Sequence, residues 1–171
     1  MNNNFEQSLE LILKYEGLYS NHKDDTGGAT MRGITQGVYE DWVDRPVTVD
    51  EMKTLTVKDV APIYKKNYWD KCKCDELPSG VNFCTFDMAI NAGTRRGVKT
   101  LQKVVGTRQD GIIGPVTIEA VNSIKPSIII NKYTEERENF YRSLSVFPTF
   151  GKGWLRRNAE TQVAALEMAK E

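Results

Sequence analysis

Apolar positions near the start of the chain fall on one helical face: Phe5, Leu9 and Ile12 stand at i, i+4 and i+7, and a further step of four reaches Glu16. Asn4 with Gln7 three residues on is a helix start and Gly17 a stop, so the spacing predicts a helix that carries a carboxylate in its last turn on an apolar stripe. From Leu18 to Thr35 the pattern changes to short runs around Asp24-Asp25-Thr26-Gly27-Gly28, which predicts a small β-hairpin or meander with its tip at the glycines. No other segment suggests a sheet.

Beyond the hairpin the periodicity is helical. A short helix is expected over 36–43, ended by Arg45-Pro46. Thr48 with Glu51, and Thr56 with Asp59, are further starts, the second opening a helix whose Val60, Ile63, Tyr64 and Asn67 line one side. Leu77-Pro78-Ser79-Gly80 is a turn. The run Val81 to Ala92, VNFCTFDMAINA, is apolar on most sides and therefore suits a helix at the centre of a domain, with Gly93 as its stop. A helix over 95–105 closed by Gly106, another opened by Pro115, and two longer ones over 127–144 and 153–170 complete the chain, with FPTFGKGW joining the last two. The pattern predicts a mostly α, α+β fold: a part with a small hairpin lobe over 1–80 and a helical part over 81–171, packed together as one compact domain.

Composition narrows the choices. With 171 residues, 40% of them apolar and 27% charged, the chain can build a real core and has neither repeats nor low-complexity tracts. Lys plus Arg and Asp plus Glu both number 23, so no overall basic footprint points to nucleic acid. Cys72, Cys74 and Cys84 are odd in number and suit a reducing compartment better than a disulfide framework. The opening MNNNFEQSLE lacks the cationic and apolar regions of a signal peptide and no long apolar span follows, so the expectation is a protein made in the cytoplasm without a stable membrane association.

Glu16 is the first candidate for chemistry. Removing a carboxylate from water disfavours its charged form, which is what a general acid needs, although a glutamate at a helix end is also an ordinary exposed residue. Asp25 lies nine residues on (25 − 16), in a turn that can fold back toward the helix end, and Thr30 and Thr35 follow within the same hairpin. One buried acid facing one solvated carboxylate is the arrangement used to hydrolyse glycosidic bonds. Thr35, where the helix over 36–43 begins, better fits a cap.

These residues also carry a resemblance. Glu16-Gly17, then Asp25-Thr26-Gly27-Gly28-Ala29-Thr30, then Gly33-Ile34-Thr35 resembles the signature of the glycoside hydrolase family 108 peptidoglycan muramidases, found as phage endolysins and secretion-associated lysozymes within the lysozyme-like superfamily. The stretches YKKNYWDKCKCDELPSGVNFCTFDMAINAGTRRGVKTLQKVVG and DGIIGPVTIEAV are similar to the downstream half of that family, a predicted peptidoglycan-binding region. The chain departs from the signature where Leu18 replaces the second glycine of EGG and Asn21-His22-Lys23 replaces Asn-Asp-Pro. The resemblance implies a lysozyme-like fold and hydrolysis of the β-1,4 bond between N-acetylmuramic acid and N-acetylglucosamine in peptidoglycan by a monomer, without cofactor or metal. It implies Glu16 as general acid, Asp25 as the carboxylate that orients water or stabilises positive charge, and Thr30 as the hydroxyl that positions water. It further implies a wall-lytic protein that reaches its substrate, in the periplasm or outside, through a helper such as a membrane hole. The other readings are a peptidoglycan-binding module that does not cut, and a lytic transglycosylase on the same scaffold.

Several other features carry two readings. Asp87 and Asn91, one turn apart on the apolar helix, either tie it to its neighbours or contact substrate, with Asn91 the better candidate for the second role. Tyr64, Tyr68 and Trp69 are either core or stacking surfaces for sugar, and Trp154 shares that ambiguity. Cys72-Lys73-Cys74 has too few companion ligands for zinc, and the lone His22 suits a solvated loop. Arg95, Arg96, Lys99 and Lys103 make one helix side cationic, either as a solvated face or as an attraction for anionic cell-wall polymers.

Overall fold

A computed structural model of the protein describes residues 4–21 and 28–170. They form a mostly α, α+β fold and group into two compact units, Met1–Asn67 and Tyr68–Glu171, so the 77–80 turn lies inside the second unit rather than dividing the chain.

In the first unit, α1 (Asn4–Leu13) buries Ser8, Leu9 and Ile12. It stops three residues short of the predicted end: the Tyr15 amide donates to the Ile12 carbonyl at 2.9 Å and the Glu16 amide reaches that same carbonyl at 3.4 Å. The last turn tightens on one acceptor, as helix ends commonly do, and leaves Glu16 in the turn beyond the helix, half-buried.

Strands β1 (Tyr19–Ser20), β2 (Thr30–Met31) and β3 (Ile34–Thr35) form one antiparallel sheet in that order, with Tyr19 opposite Met31, Thr30 opposite Thr35 and Met31 opposite Ile34. Arg32 and Gly33 join β2 to β3 with φ of +49° and +77°, the pair of positive values that a two-residue hairpin loop requires.

The helices that follow begin where side chains satisfy their free amides. Thr35 accepts from the Val38 amide at 3.3 Å to open α2 (Gln36–Val43), which Asp44 ends in the left-handed region. Thr48 does the same for Glu51 at the start of α3 (Val49–Lys53), at 3.1 Å. Asp59 accepts from the Thr56 amide at 2.7 Å and from its hydroxyl at 2.6 Å at the start of α4 (Val57–Tyr64). Val60, Ile63 and Tyr64 of α4 are buried, as are Met31, Ile34, Met52 and Leu55.

In the second unit, α5 (Val81–Ala92) is buried without interruption from Val81 to Ala89, and α6 (Thr94–Val105), α8 (Pro126–Arg142) and α9 (Phe147–Met168) pack around it. Helix α7 (Pro115–Asn122) leans on α6. Two glycines permit close approach: a Cβ at Gly97 would lie 3.0 Å from the Thr85 carbonyl oxygen, and one at Gly80 2.2 Å from that of Ala165. Helix α9 begins at Phe147, six residues before the predicted start (153 − 147), because FPTFGKGW is its opening rather than a connection. Pro148 sits in the first turn, where no intrahelical partner is lost, and Gly151 gives the Phe147 ring room that a Cβ, 2.4 Å from it, would take away. Among the described residues no helix is long and apolar enough to cross a membrane.

The middle of this apolar packing holds a charge. Asp87 is buried on α5. Its Oδ2 accepts from Arg137 Nη1 on α8 at 2.6 Å and from the Thr161 hydroxyl at 3.2 Å, and its Oδ1 accepts from Arg157 Nη2 on α9 at 2.7 Å. Burial alone would push the Asp87 carboxyl up, but the charges and hydrogen bonds of Arg137 and Arg157 outweigh it and hold the group below its ordinary value. A depressed carboxyl contributes stability above its unfolded-state value, near pH ~4, and loses that contribution as the pH falls through the lower folded-state value. Asp87→Asn is therefore expected to destabilise the protein at pH 7 by about 3–5 kcal/mol in urea unfolding, since the buried Arg137 and the largely buried Arg157 lose their counter-charge. The gap from wild type should persist down to pH ~5 and narrow only at more acidic pH.

Candidate active site

Glu16 leaves the end of α1 at the β2–β3 turn. A Cβ placed on Gly33 would stand 3.0 Å from Glu16 Oε2, 3.2 Å from its Cγ and 2.3 Å from the Tyr64 hydroxyl oxygen. Three elements thus meet at one backbone position: the α1 end brings the carboxylate, the hairpin brings a residue without a side chain, and α4 brings a phenol. The Tyr64 hydroxyl donates to the Arg32 carbonyl at 2.9 Å, and Arg32 Nε donates to the Leu55 carbonyl at 3.1 Å, which ties the turn to the α3–α4 connection. Glycine meets both demands here, tolerating the positive φ and clearing the space that Glu16 and Tyr64 occupy.

Thr30, half-buried on β2, is two residues before this turn and faces Thr35 across the ladder. Thr35 spends its hydroxyl on the α2 cap, which leaves Thr30 as the hairpin hydroxyl free of that duty. Gln36 holds the strand that leads into β2, since its amide donates to the Ala29 carbonyl at 2.7 Å and its side-chain Nε2 to the Val47 carbonyl at 2.6 Å. Asp25 lies outside the described residues, and so do His22 and the glycine tip as far as Gly27.

The remaining candidates divide by burial. Tyr64 is buried, so its ring belongs to the core and only its hydroxyl addresses the site. Tyr68 is half-buried, and Trp69 is wholly buried, with Nε1 donating to Asp75 at 2.7 Å and its ring edge-on to Phe86. Asn91 is exposed, and its Oδ1 accepts from the Tyr141 hydroxyl at 2.5 Å, a tie between α5 and α8. Trp154 stacks on Tyr141 at 5.0 Å between ring centres. The three cysteines are free and buried, and burial pushes the Cys84 thiol up to about 12, so it stays a thiol at neutral pH. Among the described residues no group of three or more His, Cys, Asp or Glu side chains is placed to hold a metal ion.

The sequence pattern marked Glu16 but not what holds it. The Gly33–Tyr64 contact joins residues far apart in the chain, and its one local sign was a glycine in a tight hairpin.

This geometry, a glutamate just past the first helix set against a three-stranded hairpin lobe and followed by a helical body, defines the lysozyme-like class of α+β glycosidases. The glycosyl hydrolase 108 family matches residues 9–93, and the family described as a predicted peptidoglycan domain matches residues 96–159. The solved structure of Brucella abortus SagA is 40% identical, aligns over 100% of this chain and 98% of that one, and superposes with a TM-score of 0.86. No functionally curated protein matches. The chain belongs to glycosyl hydrolase family 108, with a peptidoglycan domain following the catalytic one, and is a glycoside hydrolase whose ligand is peptidoglycan.

Gly33→Ala should destabilise the protein by about 2 kcal/mol, a fall in Tm of roughly 4–8 °C. Tyr64→Phe alone should cost about 1 kcal/mol for the Arg32 carbonyl left without its donor. In the Gly33→Ala background the same change should cost less or become stabilising, because it removes the hydroxyl that the new Cβ strikes; a double-mutant cycle in thermal unfolding measures that coupling.

Proposed function

We propose that this protein hydrolyses the β-1,4 bond between N-acetylmuramic acid and N-acetylglucosamine, with Glu16 as its general acid. The observation that carries the proposal is the half-buried Glu16 carboxylate set against the Gly33 turn, within the stretch that matches the hydrolase family. In its protonated form Glu16 donates to the glycosidic oxygen as the bond from that oxygen to C1 of muramic acid breaks, and the proton leaves with the new glucosamine hydroxyl. Positive charge grows at C1 and the ring oxygen. The resemblance gives Asp25 the task of stabilising that charge or orienting water, and Thr30 the task of holding the water that bonds to C1. Tyr64 acts at one remove, fixing the turn that Glu16 rests on. Exposed Asn91 and half-buried Tyr68 are further candidates for sugar contact. The reaction needs no metal or cofactor, and the protein works as a monomer. It reaches the wall through a helper route such as a membrane hole, as a lytic enzyme would.

Digestion of purified peptidoglycan by wild type and by Glu16→Gln tests this. Wild type should release reducing ends at muramic acid. The variant should fall by roughly 10²–10⁴-fold in rate while melting close to wild type. Near-normal turnover in Glu16→Gln would remove Glu16 from the role. Anhydro-muramic ends would mark a transglycosylase instead, new free amines a peptidase, and retained binding without products a recognition module.

A further inference from the structure

The cationic side of α6 is not a uniform solvated face. Arg95 turns away to cover Gly111, whose Cβ would lie 2.7 Å from Arg95 Cγ. Arg96, Lys99 and Lys103 instead line a cavity of about 270 Å³ closed from the other side by Glu136, Asn139 and Phe140 of α8. The cations are held differently. Arg96 lies over the Phe140 ring, 4.5 Å from its centre, which fixes the guanidinium and covers that aromatic face. Lys103 pairs with Glu136 at 2.5 Å. Lys99, half-buried between them, pairs with no carboxylate among the described residues.

A pocket with three cations, one carboxylate and the amides of Gln109 and Asn139 selects its ligand by charge. Sugar is a poor match, because a sugar ring binds on an open aromatic face and the guanidinium occupies the only ring in the wall. A polyphosphate polymer is disfavoured by Glu136, whose charge opposes a ligand that is anionic throughout. What fits is a small ligand of both signs, with a carboxylate for Lys99 and Arg96 and an amine or amide N–H for Glu136. The volume suits one or two amino-acid residues rather than a chain of saccharides. In peptidoglycan the part with that chemistry is the peptide stem, which carries carboxylates and, in its diamino acid, an ammonium.

We infer that the cavity between α6 and α8 binds the carboxylate-bearing peptide stem of peptidoglycan, with Lys99 as the main anion contact, Arg96 beside it and Glu136 as the acceptor for the stem's amine. The inference rests on peptidoglycan being the substrate of the proposed hydrolase. It assigns the peptide-reading role to the second unit and leaves bond cleavage to the residues around Glu16.

Calorimetric titration of the full-length protein with free stem tetrapeptide, and separately with poly(glycerol phosphate), tests it, with hydrolysis of peptide-free glycan strands by wild type measured alongside. The tetrapeptide should bind wild type, Lys99→Ala should weaken it about tenfold, Lys99→Arg should restore most of the affinity, and Lys152→Ala, an equal loss of charge on an exposed residue elsewhere, should not change it. Binding of tetrapeptide that is absent, or indifferent to Lys99, overturns the inference even when glycan strands are cut. Lys99-dependent binding of poly(glycerol phosphate) in place of tetrapeptide overturns it in favour of an anionic polymer. Lys99-dependent tetrapeptide binding without cleavage of glycan strands upholds the pocket and removes the hydrolase reading instead.

Discussion

A carboxylate in the middle of an apolar helix fixes how the helical body is assembled. Helix α5 is buried continuously over Val81–Ala89, so hydrophobicity alone does not choose which of its faces meets α8 and which meets α9. Asp87 does. Removed from water, it is tolerable only where opposite charge is within hydrogen-bond reach, and its two oxygens are served separately, by Arg137 and Thr161 on one side and Arg157 on the other. Turning α5 by one residue, about 100°, would carry the carboxylate away from both arginines. The attraction within such a pair largely offsets the desolvation of its ions, so its main contribution is to exclude other arrangements of the same helices. Arg137 Nε also donates to the Tyr141 hydroxyl, which in turn donates to Asn91, so the polar contact extends one turn further along α5.

The first unit has a counterpart in Gly33. There the constraint is steric: the β2–β3 turn must come near enough for the Glu16 side chain and the Tyr64 hydroxyl to occupy the space of a missing Cβ. Short strands of two residues each cannot hold such a position by their own ladder. The turn is held from outside, by Tyr64 on the Arg32 carbonyl and by Arg32 on the Leu55 carbonyl. The hairpin lobe owes its definition to the helices it packs on more than to its own pairing.

Much of the fold is legible in the sequence where a local chemical signal ends an element. The Thr48 and Thr56 starts, the Thr35 cap, and the glycines after α5 and α6 act within one helical turn, and the structure has them where spacing puts them. Elements whose ends depend on distant packing are less legible. Gly17 suggested a helix that runs through Glu16, but α1 closes earlier on Ile12. Gly151 and Gly153 suggested a connection, but the Phe147 ring uses Gly151 as its seat within α9. The partners of Asp87 were legible in principle, since Arg137 falls on the stripe of Ile130, Tyr133 and Tyr141 as a charge on an apolar face, the same anomaly that drew attention to Glu16. For the candidate site, the sequence marked Glu16, Thr30 and Tyr64 as separate candidates but not the contact at Gly33 that brings Glu16 and Tyr64 together, because that contact crosses 31 positions (64 − 33).

Pairing is what separates the structural charges of this chain from those available to a ligand. Arg137 is removed from water, Arg157 is largely so, and both are committed to Asp87, so nothing from outside can use them without unpairing a buried carboxylate. Arg96, Lys99 and Lys103 of α6 are half-buried or exposed, and line a cavity in which one carboxylate faces the three of them. An arginine fixed over an aromatic ring loses little further freedom when an anion arrives, and Lys99, which pairs with no carboxylate among the described residues, has not already made the favourable contact within the protein. The same logic sorts the aromatic residues, with Trp69 locked by Asp75 and Phe86. It also sorts the tyrosines, with the Tyr64 ring in the core and its hydroxyl at the turn. A residue type suggests a chemistry, but only the count of its partners tells whether that chemistry is still open to substrate.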